Sequence, residues 1–274
     1  MDGGAVMAVR AEHDRAVLAG LLGRDPVLHA YQLGDLDDFF WPYTSWFRRG
    51  DEVVLLYHGV ELPTLLAFAA PERVAALSAL LVEAAPVLPA RLWAHLSPGL
   101  EATVSRWYAV SDAAAHVRMA WTDPPRAAAV PAVGEPLGRA DLAELRELYA
   151  VAYPGNWFDP RMLDTGQYVG VRDRGRLVAV AGVHVWSPRW RVAALGNVTT
   201  HPDVRGRGLG AGVVAALCAR LRASVDHVTL NVRADNAAAV RLYERLGFTA
   251  VAGFTECALT RLTGPAAGSA GAAG

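Results

Sequence analysis

Residues 198–218, VTTHPDVRGRGLGAGVVAALC, place four glycines and two arginines between an apolar strand and an apolar helix. Glycine has no Cβ, so backbone N–H groups at such a junction can approach a ligand closely. The start of the helix adds unpaired N–H groups and a partial positive charge, which together suit phosphate. Arg205 and Arg207 add guanidinium donors for phosphate oxygens. The junction therefore predicts a pyrophosphate site.

Two well-known phosphate motifs compete for this loop. A Walker loop requires a lysine, and the chain contains none. A dinucleotide fingerprint matches at Gly206, Gly208 and Ala211, but it also requires an acidic residue at the end of the next strand. The candidate, Asp226, precedes that strand, so the order of elements is wrong. A glycine-rich turn with solvated arginines and no ligand stays open on the loop alone.

The bulk composition narrows the classes of protein. The chain has 274 residues, 53% of them hydrophobic, with a net charge of -1 and 26 basic residues that are all arginine. This predicts one large or two modest domains and gives no basic field for nucleic acid or a membrane surface. Cys218 and Cys257 lie in apolar segments and read as core residues. Without a signal-peptide pattern or a membrane-spanning stretch, we expect a cytoplasmic protein, monomeric or homodimeric.

The chain divides into two halves that read in the same order. The segment 122–136 carries four prolines and predicts a linker, whereas 263–274 is of low complexity and predicts a disordered tail. After the linker, a helix at 139–153 precedes the strands, helices and glycine loop that follow. The first half repeats this order, with APERVAALSALL at 70–81 in the place of the glycine loop and no glycine in it. Chance similarity of two α/β units is the alternative.

The regular elements after the linker alternate in type. Strands are predicted at 167–173, 176–187, 190–201, 227–232 and 248–262, and helices after the glycine loop and at 236–247. In the first half, helices are predicted at 11–22, 71–85 and 99–108, and strands at 51–59, 63–70, 90–96 and 113–121.

Two motifs carry a resemblance to a known family. Arg205-x-x-Gly208-x-Gly210, after a strand ending in TTHP, resembles the cofactor motif of the GNAT N-acetyltransferase superfamily. LNVRADNAAAVRLYERLGF, at 230–248, resembles the second motif of that superfamily. YPGNWFDPRML and GNVTTHPDVRGRGLG are similar to a bacterial branch related to glycine N-acyltransferase, in which a degenerate copy precedes the active one. Val204 stands where many relatives carry an aromatic residue.

The resemblance implies an α/β fold in which a mixed sheet carries helices on both faces, used twice. Residues 1–132 would form a degenerate N-terminal GNAT-like domain and residues 133–262 the catalytic domain. The implied co-substrate is acetyl-CoA or another acyl-CoA, with no metal. Its pyrophosphate would lie on the loop, and its pantetheine arm beside the strand that holds Val198 and Thr200. The loop comprises Arg205, Gly206, Arg207, Gly208, Leu209 and Gly210.

The resemblance implies two roles on the helix inside the second motif. Asn236 begins this helix, where it would cap the helix and bond the cofactor. Tyr243 follows seven positions later and projects from nearly the same face. The resemblance makes Tyr243 the proton donor for the departing thiolate; the alternative is a core aromatic.

The acceptor side is less defined by the sequence. The acceptor is expected to be a primary amine, small or on a protein, and its proton requires a base or a water relay. His184 on the preceding strand is the first candidate base, with Asp159 and Glu256 behind it; a structural histidine is the alternative. Asn231 could orient a water. The aromatic residues of the segment 152–160 would form the acceptor wall, or else plug the core: Tyr153, Trp157 and Phe158.

Together these features predict an N-acetyltransferase that transfers the acetyl group directly within a ternary complex. No cysteine lies in either motif, so a covalent acyl-enzyme has no obvious nucleophile. A non-catalytic regulator that binds acyl-CoA is the alternative from another functional class.

Overall fold

The structure, a computed structural model, describes residues 8–263. Its first part forms a unit of six strands and four helices. The strands are β1 (Arg10–Ala11), β2 (Thr44–Arg49), β3 (Glu52–Tyr57), β4 (Thr64–Ala67), β5 (Arg91–Leu96) and β6 (Tyr108–Trp121). The helices are α1 (Arg15–Leu22), α2 (Ala30–Gly34), α3 (Val74–Ala84) and α4 (Leu100–Val104).

The second part repeats this order after a short connecting helix. The connecting helix is α5 (Pro124–Ala128), and the others are α6 (Leu142–Ala152), α7 (Leu209–Leu221) and α8 (Ala237–Arg245). The strands are β7 (Glu135–Pro136), β8 (Val169–Asp173), β9 (Arg176–Ser187), β10 (Val192–Thr200), β11 (His227–Arg233) and β12 (Phe248–Arg261). A 3₁₀ helix at Pro160–Thr165 stands where the first unit has α2.

All twelve strands join one mixed sheet, in the order β1-β2-β3-β4-β5-β12-β6-β11-β10-β9-β8-β7. In each unit one pair of strands is parallel, β4 with β5 and β10 with β11, as the intervening helices α3 and α7 require. The order shows that the two units exchange their last strands. Strand β12 of the second unit pairs with β5 of the first, and β6 of the first unit pairs with β11 of the second.

The exchange also joins the two hydrophobic cores. Strand β12 contributes Cys257 and Leu259 to the cluster of buried residues beneath α3, which otherwise consists of residues from the first unit. Helix α2 of the first unit packs against β9, β10 and β11 of the second. Its Gly34 lies so close to Val185 that a Cβ there would fall 2.6 Å from the Val185 Cβ. Each unit therefore buries apolar surface that belongs to the other.

Helices pack along the sheet as the α/β pattern predicts. Helices α6 and α7 both pack against β9 and β10. Both cysteines are free and buried, as expected. Within residues 8–263, none of the helices combines the length and apolar character needed to cross a bilayer.

The mixed α/β sheet predicted from the sequence is confirmed, but the segment 122–136 is not a structureless linker. It contains helix α5 and strand β7, and the Thr122 and Asp123 amides both donate to the Gly247 carbonyl at 3.0 Å. The prolines at positions 124 and 125 begin a helix, where a missing N–H costs nothing. The predicted disordered tail lies, apart from residue 263, outside the described residues.

Candidate active site

The glycine loop turns sharply and leaves its surface open. Gly206 and Gly208 both adopt φ +80°, a left-handed conformation that side chains strain, and a Cβ at either position would meet nothing within 4 Å. Gly210 is different, because its Cβ would lie 3.2 Å from the Thr200 Oγ1. Two glycines therefore serve the turn, and the third allows α7 to start close to β10.

A row of backbone donors faces outward from this loop. The first bond of α7 runs from the Gly212 N–H to the Gly208 carbonyl at 3.0 Å. Among the described residues, no acceptor is found for the N–H groups of residues 206–210. Helix α7 has 13 residues, so its aligned peptide dipoles add positive potential at the same place. The loop has the donors and the potential that a pyrophosphate requires.

The two arginines of the loop differ in their availability. The Arg205 Nε donates to the Thr200 carbonyl at 3.1 Å, so this side chain braces the loop against β10. The Arg207 side chain is 62% exposed, and its closest carboxylate oxygen, on Asp173, is 3.9 Å away. Arg207 is thus the guanidinium that is free to meet an anion.

Strands β10 and β11 separate before β10 reaches the glycine loop. They pair in parallel from Val192 opposite His227 to Leu195 opposite Leu230, and no further. The rest of β10 still pairs with β9, where an irregularity between Gly196 and Thr199 contains Asn197 at φ 55°. Val198 and Thr200 lie in this last part, and both are half-buried. A wedge-shaped groove therefore opens between the ends of the two strands.

Helix α8 borders the same groove. The Asn236 Oδ1 accepts the Ala239 N–H at 3.1 Å, so its capping role is present. Tyr243 is 8% exposed and its ring packs edge-on against Phe248. Burial, reinforced by the nearby Tyr153, raises the Tyr243 pKa, so its hydroxyl stays protonated at neutral pH. Among the described residues this hydroxyl has no hydrogen-bond partner, and it is not among the fully enclosed unpaired atoms.

The three aromatic residues of the predicted acceptor wall separate into two groups. Tyr153 is 45% exposed and Trp157 is 40% exposed. Trp157 lies between the units, with ring centroids 6.1 Å from Tyr57 and 5.8 Å from His184. Phe158 instead packs into the core against Tyr149, at 5.0 Å.

The predicted bases differ in how free they are to act. The His184 Nδ1 is enclosed without a partner, and burial lowers the pKa of this imidazole to about 4. Its ring lies over Gly196, where a Cβ would be 2.1 Å from the His184 Cδ2. Asp159 is occupied by an ion pair with Arg161 at 2.5 Å. These environments argue against both as bases.

Glu256, the third candidate base, lies beside two histidines that the sequence did not predict as its partners. Its two carboxylate oxygens lie 3.6 Å from the His95 Nε2 and 3.4 Å from the His116 Nε2. Both histidines belong to the first unit, on β5 and β6. The sequence signal was weak: two single histidines in apolar strands of the unit that lacks the glycine loop.

Arg118 was missed for the same reason. It is 0% exposed, and its Nε donates to the Asn231 Oδ1 at 3.0 Å, so Asn231 is held in place by the first unit. Another guanidinium nitrogen donates to the Leu28 carbonyl. The guanidinium lies 4.1 Å from the Phe68 ring centroid and 4.9 Å from that of Tyr31. Aromatic faces thus surround this buried cation, which forms no salt bridge within residues 8–263.

Comparison with known proteins finds similarity over the second unit. Residues 168–258, which span β8 to most of β12, match the family of FR47-like proteins. A mycothiol acetyltransferase from Beutenbergia cavernae is 36% identical over 97 residues, which are 35% of this chain and 31% of that protein. The match thus spans about a third of this curated relative.

Solved structures extend the likeness to both units. A protein from Novosphingobium aromaticivorans, described as an acetyltransferase of the GNAT family, is 29% identical with a TM-score of 0.54, covering 77% of this chain and 89% of that one. A tandem GNAT protein from the clavulanic acid biosynthesis pathway shares the fold at 18% identity, with a TM-score of 0.54 and coverage of 91% and 98%. The resemblance seen in the sequence is confirmed: residues 168–258 match the FR47-like family, and the similar proteins of known structure include acetyltransferases of the GNAT family. Acetyl-CoA, the expected co-substrate, is the one this superfamily uses.

Proposed function

We propose that the protein is an N-acetyltransferase that moves the acetyl group of acetyl-CoA to a primary amine. The observation that carries the proposal is the groove between β10 and β11, closed at its outer end by the unpaired amides of residues 206–210. A row of donors for pyrophosphate and an open strand edge for an amide-containing arm match the two chemically distinct parts of coenzyme A.

Different residues of the groove would bind different parts of the ligand. The amides of Gly206 to Gly210 and the free Arg207 would hold the pyrophosphate. The last part of β10, with Val198 and Thr200, would pair with the pantetheine arm in place of a neighbouring strand. An N–H group beside the irregularity at Asn197 would polarise the thioester carbonyl. Asn236 would contact the arm from the start of α8.

Direct transfer within a ternary complex agrees with the chemistry of the described residues. Cys218 and Cys257 are both buried, and burial raises the pKa of the Cys257 thiol to about 11. Neither thiol is a nucleophile at neutral pH, because the thiolate is the reactive form. The protonated hydroxyl of Tyr243 would donate to the thiolate of coenzyme A as it leaves.

We further propose that the unit 1–132 binds no coenzyme A and that the unit 133–262 is the catalytic one. The corresponding strands of the first unit do not separate. Their pairing continues beyond Ala67, because the Ser97 N–H donates to the Ala67 carbonyl at 3.0 Å. The Ser97 hydroxyl then bridges the strand ends, accepting from the Ala69 N–H at 3.0 Å and donating to its carbonyl at 3.2 Å. The ends of β4 and β5 are therefore too close for a groove like the one between β10 and β11.

Calorimetry followed by an acceptor screen tests the proposal. The full chain should bind acetyl-CoA and should not bind NAD(P)⁺; the reverse result would remove the proposal. Release of free coenzyme A is then followed with a panel of primary amines. Binding of acetyl-CoA without transfer to any amine or protein acceptor would favour the non-catalytic regulator instead.

A further inference from the structure

The strand exchange builds a cluster of three polar side chains that neither unit could form alone: His95, His116 and Glu256. Glu256 lies on β12, between β5 and β6, and its register partner on β5 is His95. The three side chains are 13%, 12% and 18% exposed, respectively, so they are sheltered but still reachable by a small molecule. A carboxylate in such a place can bind a cation and can also accept a proton.

Strand register places this cluster on the same face as the end of the groove. Residues that are directly opposite on neighbouring strands share a face of the sheet. His116 is opposite both Phe254 on β12 and Arg233 at the end of β11. Two positions deeper, Arg118 is opposite Asn231, beyond the last residue of β11 that pairs with β10. The cluster therefore lies on the same sheet face as the part of β11 that has separated from β10.

Electrostatic effects connect the cluster to the groove and to the exposed aromatic wall. Burial, together with the charge of Glu256, raises the Tyr153 pKa. Tyr153 in turn adds to the effect of burial on the Tyr243 pKa. These directions agree with the strand register, which places Glu256 on the sheet face that also carries His116 and the end of β11.

Three polar atoms of His95, His184 and Arg118 lack hydrogen-bond partners. The His95 Nδ1, the His184 Nδ1 and one terminal nitrogen of Arg118 are all fully enclosed without a partner. Buried polar atoms without partners are rare in folded proteins and call for a water, an ion or a ligand. Phe254 lies between the two histidines of the cluster, with ring centroids 5.6 Å from His95 and 5.5 Å from His116. Among the described residues no group able to hold a metal ion is found.

We propose that Glu256, held between His95 and His116, is the binding site for the ammonium group of the acceptor and takes its proton. This inference rests on the proposed function and adds a role for the first unit, which supplies both histidines. The acceptor site is incomplete without that unit, although its own strands β4 and β5 form no groove.

The proposed step balances. The acceptor binds as R–NH₃⁺, and one N–H proton passes to the Glu256 carboxylate and onward to solvent. The free amine forms the new N–C bond at the thioester carbonyl, and the C–S bond breaks. The second proton lost by the nitrogen replaces the one that Tyr243 gives to the departing sulfur. The products are the amide, coenzyme A as its thiol, and one proton.

A titration of the full chain with butylammonium, using 1-butanol as the uncharged match, tests the binding step. The imidazole proton resonances of His95 and His116, assigned from the variants His95→Gln and His116→Gln, are followed by NMR with coenzyme A present. We expect butylammonium, but not 1-butanol, to shift both resonances. Glu256→Gln should weaken this binding at least tenfold, whereas Glu147→Gln, which removes an exposed carboxylate of α6, should leave it unchanged. Absence of a shift, or equal binding by Glu256→Gln, overturns the inference.

The chemical step has a separate readout. Acetyl transfer to butylamine should fall about 10²-fold in Glu256→Gln, at the low end for a general base, with acetyl-CoA affinity unchanged. Normal turnover by that variant also overturns the inference, while the proposed function stands. If the wild-type chain binds no acetyl-CoA, the proposed function fails whatever the amine does.

Discussion

The lowered pKa of His184 predicts a measurable dependence of the protein's stability on pH. Its Nδ1 is enclosed, its ring lies between Trp157 and Gly196, and burial lowers its pKa to about 4 from an ordinary value of 6.5. A histidine whose pKa is lower in the folded state contributes stability above pH 6.5. That stability is lost as the pH falls from about 6.5 towards 4, because only the unfolded chain then takes up the proton.

The size of the effect follows from the two pKa values. Between pH 7.5 and pH 5.5, uptake of this proton by the unfolded chain should lower the free energy of unfolding by about 1 kcal/mol. For a chain of this size, that change lowers the melting temperature by roughly 2–4 °C. The variant His184→Gln cannot take up this proton, so its melting temperature should fall less over the same range. The range lies above the ordinary pKa values of carboxyl groups, which limits their contribution.

The measurement is thermal unfolding of the wild type, His184→Gln and His58→Gln at both pH values. His58 is an exposed histidine of the same protein, so its variant should follow the wild type. Equal pH shifts in the wild type and in His184→Gln would refute the reasoning and restore an ionisable imidazole at this position. We expect His184→Gln to keep acetyl transfer within about tenfold; a loss of about 10²-fold or more would return His184 to the role of base.

Three other outcomes follow from the structure. Gly208→Glu should abolish acetyl-CoA binding in calorimetry, because it adds strain at φ +80° and a negative charge beside the proposed pyrophosphate site; stoichiometric binding retained by the variant and mapped to the first unit would refute the degenerate first copy. Tyr243→Phe should bind acetyl-CoA normally and lose turnover about 10²-fold; if binding is lost as well, Tyr243 anchors the cofactor. Residues 1–132 produced alone should aggregate, since β5 and β6 lose β12, and co-expression with residues 133–274 should restore soluble protein; a soluble monomer from 1–132 would contradict the exchange.

Elements with strong local signals were predicted well. The predicted strand 176–187 coincides with β9, and the predicted helix 236–247 contains α8. The short helix α2 and strand β2 were missed. Helix α2 has only five residues, all of them buried, so it shows no polar face from which a helical period could be read.

The residues of the candidate site also divide into those that the sequence predicted and those that it did not. The loop residues were found because glycine, arginine and a following helix are consecutive in the chain, and their chemistry depends on backbone geometry that neighbours determine. The partners of Glu256 were not found, because His95 and His116 are 161 and 140 positions away and nothing in their local sequence marks them.

The sequence by itself determined the long helices and strands, the glycine loop and the resemblance to a known family. Those properties depend on periodicity and on residues that are close in the chain. Which strand lies beside which was decided only by the tertiary structure. Strands β6 and β12 are each 14 residues long, and each would satisfy backbone hydrogen bonds equally well beside β5 or β11. The observed pairing depends on contacts between distant segments, such as Cys257 and Leu259 in the core of the first unit and Arg118 beside Asn231 in the second. The cluster at Glu256 exists only because that choice was made.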